Sequence, residues 1–272
     1  DGGGLDKFNP DNDSFKHYKY IKNNPNSLSS NAIQTIANDA SGNLWVGTWG
    51  GGLSRFDRKT ETFEKIHLNI PGLFTNDNQI ILTIQEDPSG LLWVGTDGTG
   101  VFKFDLNQKK FSNIGYENLR SPLFGSTHVL SVYVDPFNKL WLGTKGGGIQ
   151  YSANWKTFTE LNIKEPEISA VQELPYESRS FMQEGDYLWV ATNKGLIRIL
   201  NKAAKPGAYE IFEPRFKDST SIGGKKINML VKDSSGRIWI GTQESGLSYI
   251  VGYDKNNQPI FKNYLPAYGV NG

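Results

Sequence analysis

Apolar and polar residues alternate along this chain in short runs, and turn-forming residues separate the runs. "NAIQTIAND", residues 31–39, alternates as a strand does, "ASG" follows as a tight turn, and "NLWVGT" reads as a second strand. "WGGG" breaks that strand, "LSRFD" makes a third, "RKTE" turns again and "TFEKIH" makes a fourth. Nothing in the stretch has helical spacing over a full turn. The unit is therefore a four-stranded antiparallel meander.

The unit recurs. LWVGT at 44–48 returns as LWVGT at 92–96, LWLGT at 140–144, LWVAT at 188–192 and IWIGT at 238–242. Trp45, Trp93, Trp141, Trp189 and Trp239 are thus spaced by 48, 48, 48 and 50 residues. Asp39, Asp87, Asp135 and Asp233 each sit five residues before the Leu or Ile that opens the LW or IW pair. Four-stranded units of about 40 to 50 residues, repeated, are the blades of a β-propeller. A β-helix or solenoid of stacked coils has much shorter repeats. The Gly-His and Trp-Asp pairs of a WD-type propeller are missing. The fold class predicted is all-β: a propeller of antiparallel blades, five complete, preceded by a half blade. The spans are 1–20 for the half blade and about 21–69, 70–117, 118–164, 165–215 and 216–265 for the five blades, making one propeller region over 1–272.

An Asp, a short Gly turn, LWVGT, a Gly-rich loop and a hydrophobic third strand together resemble the two-component regulator propeller repeat. The likeness runs from "DGGGLDKF" to "FKNYL". It implies the periplasmic sensor region of a hybrid two-component system, in which the propeller itself has no catalytic role. It further implies more repeats, a β-sandwich domain, a membrane span and a histidine kinase in the same protein, and a homodimer in the full receptor. The fourth unit departs from the pattern: Ala191 replaces Gly, its turn "EGDY" is one residue shorter, and "TNKGL" lacks a glycine. The start also departs, because "DGGGLDKFNPDNDSFKHY" aligns with "WGGGLSRFDRKTETFEKI" and supplies only a third and a fourth strand. The expectation is a piece of a longer propeller array.

Composition narrows the function classes without choosing one. A net charge of +1 leaves no electrostatic footprint for nucleic acid or an anionic membrane surface. The absence of cysteine suits an exported protein, as it also suits many cytosolic ones. No apolar run approaches the length of a membrane span. His17, His67 and His128 fall in three different blades without metal-ligand spacing, so no metal is expected. "IGGKKIN" at 222–228 lacks the first glycine spacing and the Ser or Thr of a phosphate loop, and reads as an interblade connection. "NPDNDS" at 9–14 lacks the glycine and bidentate Glu of a calcium loop, and reads as a hairpin tip. No cofactor and no catalytic residue is expected.

Candidate binding residues come from the one variable place in a constant frame. The position after each Gly-Thr, or Ala-Thr in the fourth unit, reads Asp1, Trp49, Asp97, Lys145, Asn193 and Gln243. In an up-down-up-down blade the loop from second to third strand opens on the same face as the connection into the next blade. These residues should therefore ring a channel mouth beside those leading into each first strand: Asn31, Gln79, Thr127, His128, Arg179, Lys225 and Lys226. Planar polar groups and an aromatic face suit a sugar, although loops are polar anyway. The expected ligand site is Trp49, Asp97, Lys145, Asn193, Gln243, His128 and Arg179. Three classes stay open: an oligosaccharide-sensing region, which the resemblance favours; a protein-interaction propeller, marked by a large exposed apolar patch; and a propeller lyase or glycosidase, which needs paired carboxylates, or a His with an acid, near the channel.

Overall fold

The computed structural model describes residues 2–68, 79–108, 110–114, 126–163, 175–202 and 206–264. Asp1, one of the variable loop positions, lies outside them. No helix occurs among the described residues. The strands form one two-stranded and five four-stranded sheets, each of the latter a meander in chain order. The half blade is β1 (Leu5–Asn9) and β2 (Ser14–Tyr18). The first blade is β3 (Ile33–Asn38), β4 (Leu44–Thr48), β5 (Gly52–Asp57) and β6 (Thr62–Ile66). The second is β7 (Ile81–Glu86), β8 (Leu91–Thr96), β9 (Val101–Asp105) and β10 (Lys110–Ile114). The third is β11 (Val129–Val134), β12 (Leu140–Thr144), β13 (Gly148–Ser152) and β14 (Thr159–Glu160). The fourth is β15 (Ser178–Glu184), β16 (Tyr187–Thr192), β17 (Gly195–Asn201) and β18 (Pro206–Phe212). The fifth is β19 (Ile227–Lys232), β20 (Ile238–Thr242), β21 (Leu247–Tyr253) and β22 (Pro259–Tyr264). These are the blades of a β-propeller, five complete and one half, as the repeat pattern predicts.

The chain divides into two compact units. The first comprises Asp1–Val134, Lys139–Lys145 and Gln150–Glu160; the second comprises Asp135–Asn138, Gly146–Ile149 and Leu161–Gly272. In the first unit apolar clusters join successive sheets. Tyr18 and Leu28 pack with Val46, Phe56 and Phe63. Trp45 and Leu53 pack with Ile84, Leu92, Val94, Phe102 and Phe104. Trp93 and Val101 pack with Val129, Val132, Leu140 and Leu142. The first and second blades are thus buried on both faces, which explains why their second strands are apolar throughout. In the second unit Trp189, Ala191 and Leu196 pack in one cluster with Ile227, Leu230, Ile238, Ile240 and Phe261.

Glycine in LWVGT marks a close approach between sheets. A Cβ on Gly47 would lie 2.6 Å from Ile81 Cγ2 of the next sheet and 2.7 Å from Thr35 Cγ2 of its own, and one on Gly95 would lie 3.0 Å from Val129 Cγ1 of the next sheet and 2.5 Å from Thr83 Cγ2 of its own. On Gly241 of the fifth blade the nearest atom would be Met229 Cβ at 3.6 Å, ordinary contact, and among the described residues no atom of another sheet lies within 4 Å. The glycine that opens the third strand has a different cause: Gly52 has φ of 75°, a conformation that a side chain disfavours.

Trp45, Trp93, Trp141 and Trp189 are buried, as expected of a repeated core ring. Trp239 departs from that expectation. It is only half-buried, since among the described residues no sheet lies beyond the fifth blade to cover it.

Candidate functional site

In the first, second, fourth and fifth blades the Thr of the Gly-Thr or Ala-Thr pair closes the loop from second to third strand. Thr48 Oγ1 donates to the Gly52 carbonyl at 3.1 Å, Thr96 to Gly100 at 2.8 Å, Thr192 to Gly195 at 2.6 Å and Thr242 to Gly246 at 2.8 Å. The residue after it is then held by its backbone. Trp49 N–H donates to the Ala32 carbonyl at 2.8 Å, Asp97 to Ile80 at 3.0 Å, Lys145 to His128 at 3.0 Å, Asn193 to Glu177 at 3.1 Å and Gln243 to Lys226 at 2.9 Å. In every blade the variable residue therefore lies against the segment that leads into the first strand. The scaffold is constant and only the side chain changes.

In the first unit the loops of successive sheets are also stitched together. Gly4 N–H donates to the Asn31 carbonyl at 3.0 Å, Gly52 to Gln79 at 2.9 Å, and Gly98 and Gly100 to Thr127 at 3.1 and 2.9 Å. Asp97, His128 and Lys145 meet in one corner: His128 Nδ1 and Asp97 Oδ1 are in direct contact, and the two residues form a backbone bridge. Ser126 Oγ fixes that corner by donating to the Lys145 carbonyl at 2.7 Å. The Lys145 side chain is exposed, and Trp49, on the corresponding loop of the first blade, is 51% exposed. Together these supply a carboxylate acceptor, an imidazole, an ammonium donor and an open aromatic face.

The second unit treats its candidates differently. Asn193 Oδ1 accepts from Glu177 N–H at 2.9 Å, so that side chain is engaged in holding the backbone. Arg179 was expected to lead into a first strand. It lies within β15 as the extra residue where the register shifts between Ser178 and Ser180, and it is exposed. Gln243 is exposed, while Lys226 pairs with Glu244 at 3.5 Å and Lys225 with Glu213 at 3.0 Å. The "NPDNDS" stretch caps the β1–β2 hairpin, with Asp11 N–H donating to Asn9 Oδ1 at 3.0 Å. "IGGKKIN" runs from the connection after β18 into the start of β19, and a Cβ on Gly224 would stand 2.9 Å from Thr242 Cβ.

The recurring Asp has a role that its spacing did not reveal. Trp45 Nε1 donates to Asp39 Oδ2 at 2.9 Å, Trp93 Nε1 to Asp87 Oδ2 at 2.7 Å and Trp239 Nε1 to Asp233 Oδ2 at 2.8 Å. The other carboxylate oxygen closes the turn, accepting from Asn43 N–H at 2.8 Å, from Ser89 N–H at 2.8 Å and Leu91 N–H at 3.1 Å, and from Ser235 N–H at 2.9 Å and Arg237 N–H at 3.0 Å. One Asp therefore closes the hairpin and clasps the core ring. Burial pushes the Asp39 carboxyl up, but the bonds from Asn43 and Trp45 outweigh it and hold the group below the usual carboxylate range. Asp233 is held well below that range, first by the Trp239 bond and then by the Arg237 backbone.

Three stretches, residues 27–50, 76–98 and 221–244, match the two component regulator propeller family, and each contains one clasped Asp–Trp pair. Those three stretches are similar to two-component regulator propeller repeats. No curated protein matches it. Among solved structures, the chain is similar to the extracellular domain of a one component system from B. thetaiotaomicron, at 17% identity and a TM-score of 0.54, covering 96% of this chain and 39% of that one. It is similar to PorZ, a surface component of the type-IX secretion system of Porphyromonas gingivalis, at 15% identity and a TM-score of 0.59, covering 89% and 35%. It is also similar to the Myceliophteria thermophila Cps50 (Swd1) β-propeller domain, at 15% identity and a TM-score of 0.59, covering 85% and 71%. At these identities the likeness shows the fold. The propeller repeats here span about two fifths of the B. thetaiotaomicron domain. No helix of the described residues is long and apolar enough to cross a membrane.

Proposed function

We propose that this propeller is the non-catalytic ligand-sensing region of a periplasmic two-component receptor and that it recognises an oligosaccharide. The observation that carries the reading is the corner formed by Asp97, His128 and Lys145, with Trp49 open on the corresponding loop of the neighbouring blade. A pyranose offers an apolar face that stacks on an indole and hydroxyls that both donate and accept. Asp97 accepts, Lys145 donates, and the imidazole of His128 does either according to its tautomer. The repeat family and the extracellular domain it resembles support an exported sensor. Gln243 and Arg179 are exposed candidates of the second unit, and Asn193 is the weakest of the set because its amide already serves the backbone.

Calorimetry of defined glycans against the full receptor tests the reading. Each lost hydrogen bond or stacking contact should weaken binding by about 1 to 3 kcal/mol, so Trp49→Ala combined with Asp97→Ala should abolish measurable binding while the circular dichroism stays unchanged. A double variant that binds its glycan like the parent would place the site elsewhere. A second reading, a protein-interaction propeller, draws on the large apolar side chains that the outermost sheets expose, among them Phe8, Phe15, Leu247 and Tyr264.

A further inference from the structure

The corner that joins the second and third blades leaves one charge unmatched. An ionised Asp97 can only accept, so the His128 Nδ1 that touches it carries a proton, and Nε2 is the nitrogen left open. One Asp97 oxygen is thereby engaged inside the corner, and the imidazole N–H offsets part of its charge. Lys145 has no such counterpart. Its side chain is exposed, and among the described residues its ammonium makes no ion pair. The two lysines that lead into the fifth blade differ in this respect: Lys226 pairs with Glu244 at 3.5 Å and Lys225 with Glu213 at 3.0 Å.

The same place on the other loops shows what Lys145 adds. Trp49, Asp97, Asn193 and Gln243 stand there in the other blades, so Lys145 is the one cation among them. A ring hydroxyl both donates and accepts, and an amide such as that of Gln243 answers both needs. An ammonium only donates, and its bonds to anionic oxygens are roughly twice as strong as those between neutral groups. The main chain beneath it is fixed at both ends: Lys145 N–H donates to the His128 carbonyl at 3.0 Å, and the Lys145 carbonyl accepts from Ser126 Oγ at 2.7 Å. A full positive charge is thus presented from a held backbone beside an imidazole, with no carboxylate of its own.

We propose that the ligand of this corner is an acidic oligosaccharide, whose carboxylate or sulfate group pairs with Lys145. The inference rests on the oligosaccharide reading of the site and names the class of sugar. The side chains then divide the recognition. Lys145 reads the acid, His128 Nε2 and the second Asp97 oxygen meet hydroxyls, and Trp49 offers a face that takes no account of charge.

Calorimetry of the full receptor with matched pairs of oligosaccharides tests it, each acidic member, a uronic acid or a sulfated sugar, set beside its carboxyl-reduced or desulfated counterpart. The acidic member of one pair should bind about tenfold more tightly or better, and the advantage should shrink as salt rises. Lys145→Met, which keeps most of the stem and removes the charge, should bring the acidic member down to the level of the neutral one. Lys145→Arg should restore most of the difference. Trp49→Ala should weaken both members of the pair by the same factor. Lys145 is exposed and held through its main chain, so these variants should melt like the parent. The arm of the set that responds, carboxylate or sulfate, identifies the acid. Equal binding of acidic and neutral members would overturn this inference and leave the oligosaccharide reading standing, as would an acid preference that survives Lys145→Met. No binding by any sugar of the set would overturn both.

Discussion

The second and fourth blades bury the same tryptophan in opposite polar settings. Trp93 Nε1 donates to Asp87, whereas Trp189 Nε1, equally buried, has no hydrogen-bond partner among the described residues. The shortened "EGDY" turn has no Asp six residues before the Trp; Gln183 stands there instead. What replaces the clasp is a cation. The Arg198 guanidinium, 3% exposed, lies 5.5 Å from the Trp189 ring centre, 4.8 Å from Tyr187 and 5.4 Å from Phe212, and its Nε donates to Glu210 at 2.8 Å. Trp189 thus interacts through its ring face where Trp93 interacts through its N–H. The repeat requires the ring; the device that holds it is interchangeable.

Deleting either ring is the strongest test of that statement. Trp93→Ala and Trp189→Ala should each cost about 3 to 5 kcal/mol in denaturant melts, from lost burial plus the cavity left behind. If Trp189→Ala costs less than half as much as Trp93→Ala, the clasp and not the ring organises the blade. Trp49→Ala, on an exposed loop, should fall well below both.

Removing the clasp alone should have an intermediate effect. Asp87→Ala strands the Trp93 N–H and frees the Ser89 and Leu91 amides, at a cost of about 1.5 to 3 kcal/mol for bonds to a charged acceptor. Trp93→Phe should likewise cost more than Trp189→Phe, because only the former gives up a hydrogen bond. Equal costs for the two Phe variants, measured by melts at one pH, would mean that the clasp adds nothing to a ring already packed.

Acid gives the smallest and most graded signal. The Asp39 and Asp233 carboxyls are depressed in the folded state, so the folded protein takes up their protons at lower pH than the unfolded chain does. The stability they contribute is fully present above the unfolded value of about 3.9 and is lost as pH falls through the folded values. Thermal midpoints should therefore drop below about pH 4, and Asp39→Ala with Asp233→Ala should flatten that drop while lowering the neutral-pH midpoint. The fourth blade has no such carboxylate, so protection of the β16 amides against exchange should depend less on pH than that of the β4 amides. A parallel loss in both strands would show that acid acts through the whole domain instead.

Much of this was legible in one dimension. A strict period in the tryptophans, strand-length alternation and turn residues at fixed offsets determine four-stranded blades, because each unit can bury its apolar faces only against another of its kind. The anomaly of the fourth blade was legible too, as a missing residue in "EGDY" and an Ala for a Gly. The spacing of the Asp was visible, but its bond to Trp Nε1 was not, since a turn must first fold before a carboxylate and an indole six positions apart can meet.

Only the tertiary structure decided the rest. Asp97 and His128 touch because a backbone bridge joins a loop of one sheet to the lead-in of the next, a distance of 31 positions that no local pattern encodes. The glycine of LWVGT is required where the next sheet crosses within a Cβ's reach, at Gly47 and Gly95, and is spacious at Gly241. Trp239 carries the same motif as Trp93 yet remains half open, because burial belongs to the pair of sheets and not to the residue. The sequence alone determined what each blade is made of; which of its faces are covered, and which loop side chains meet, depended on neighbours that only folding brings into place.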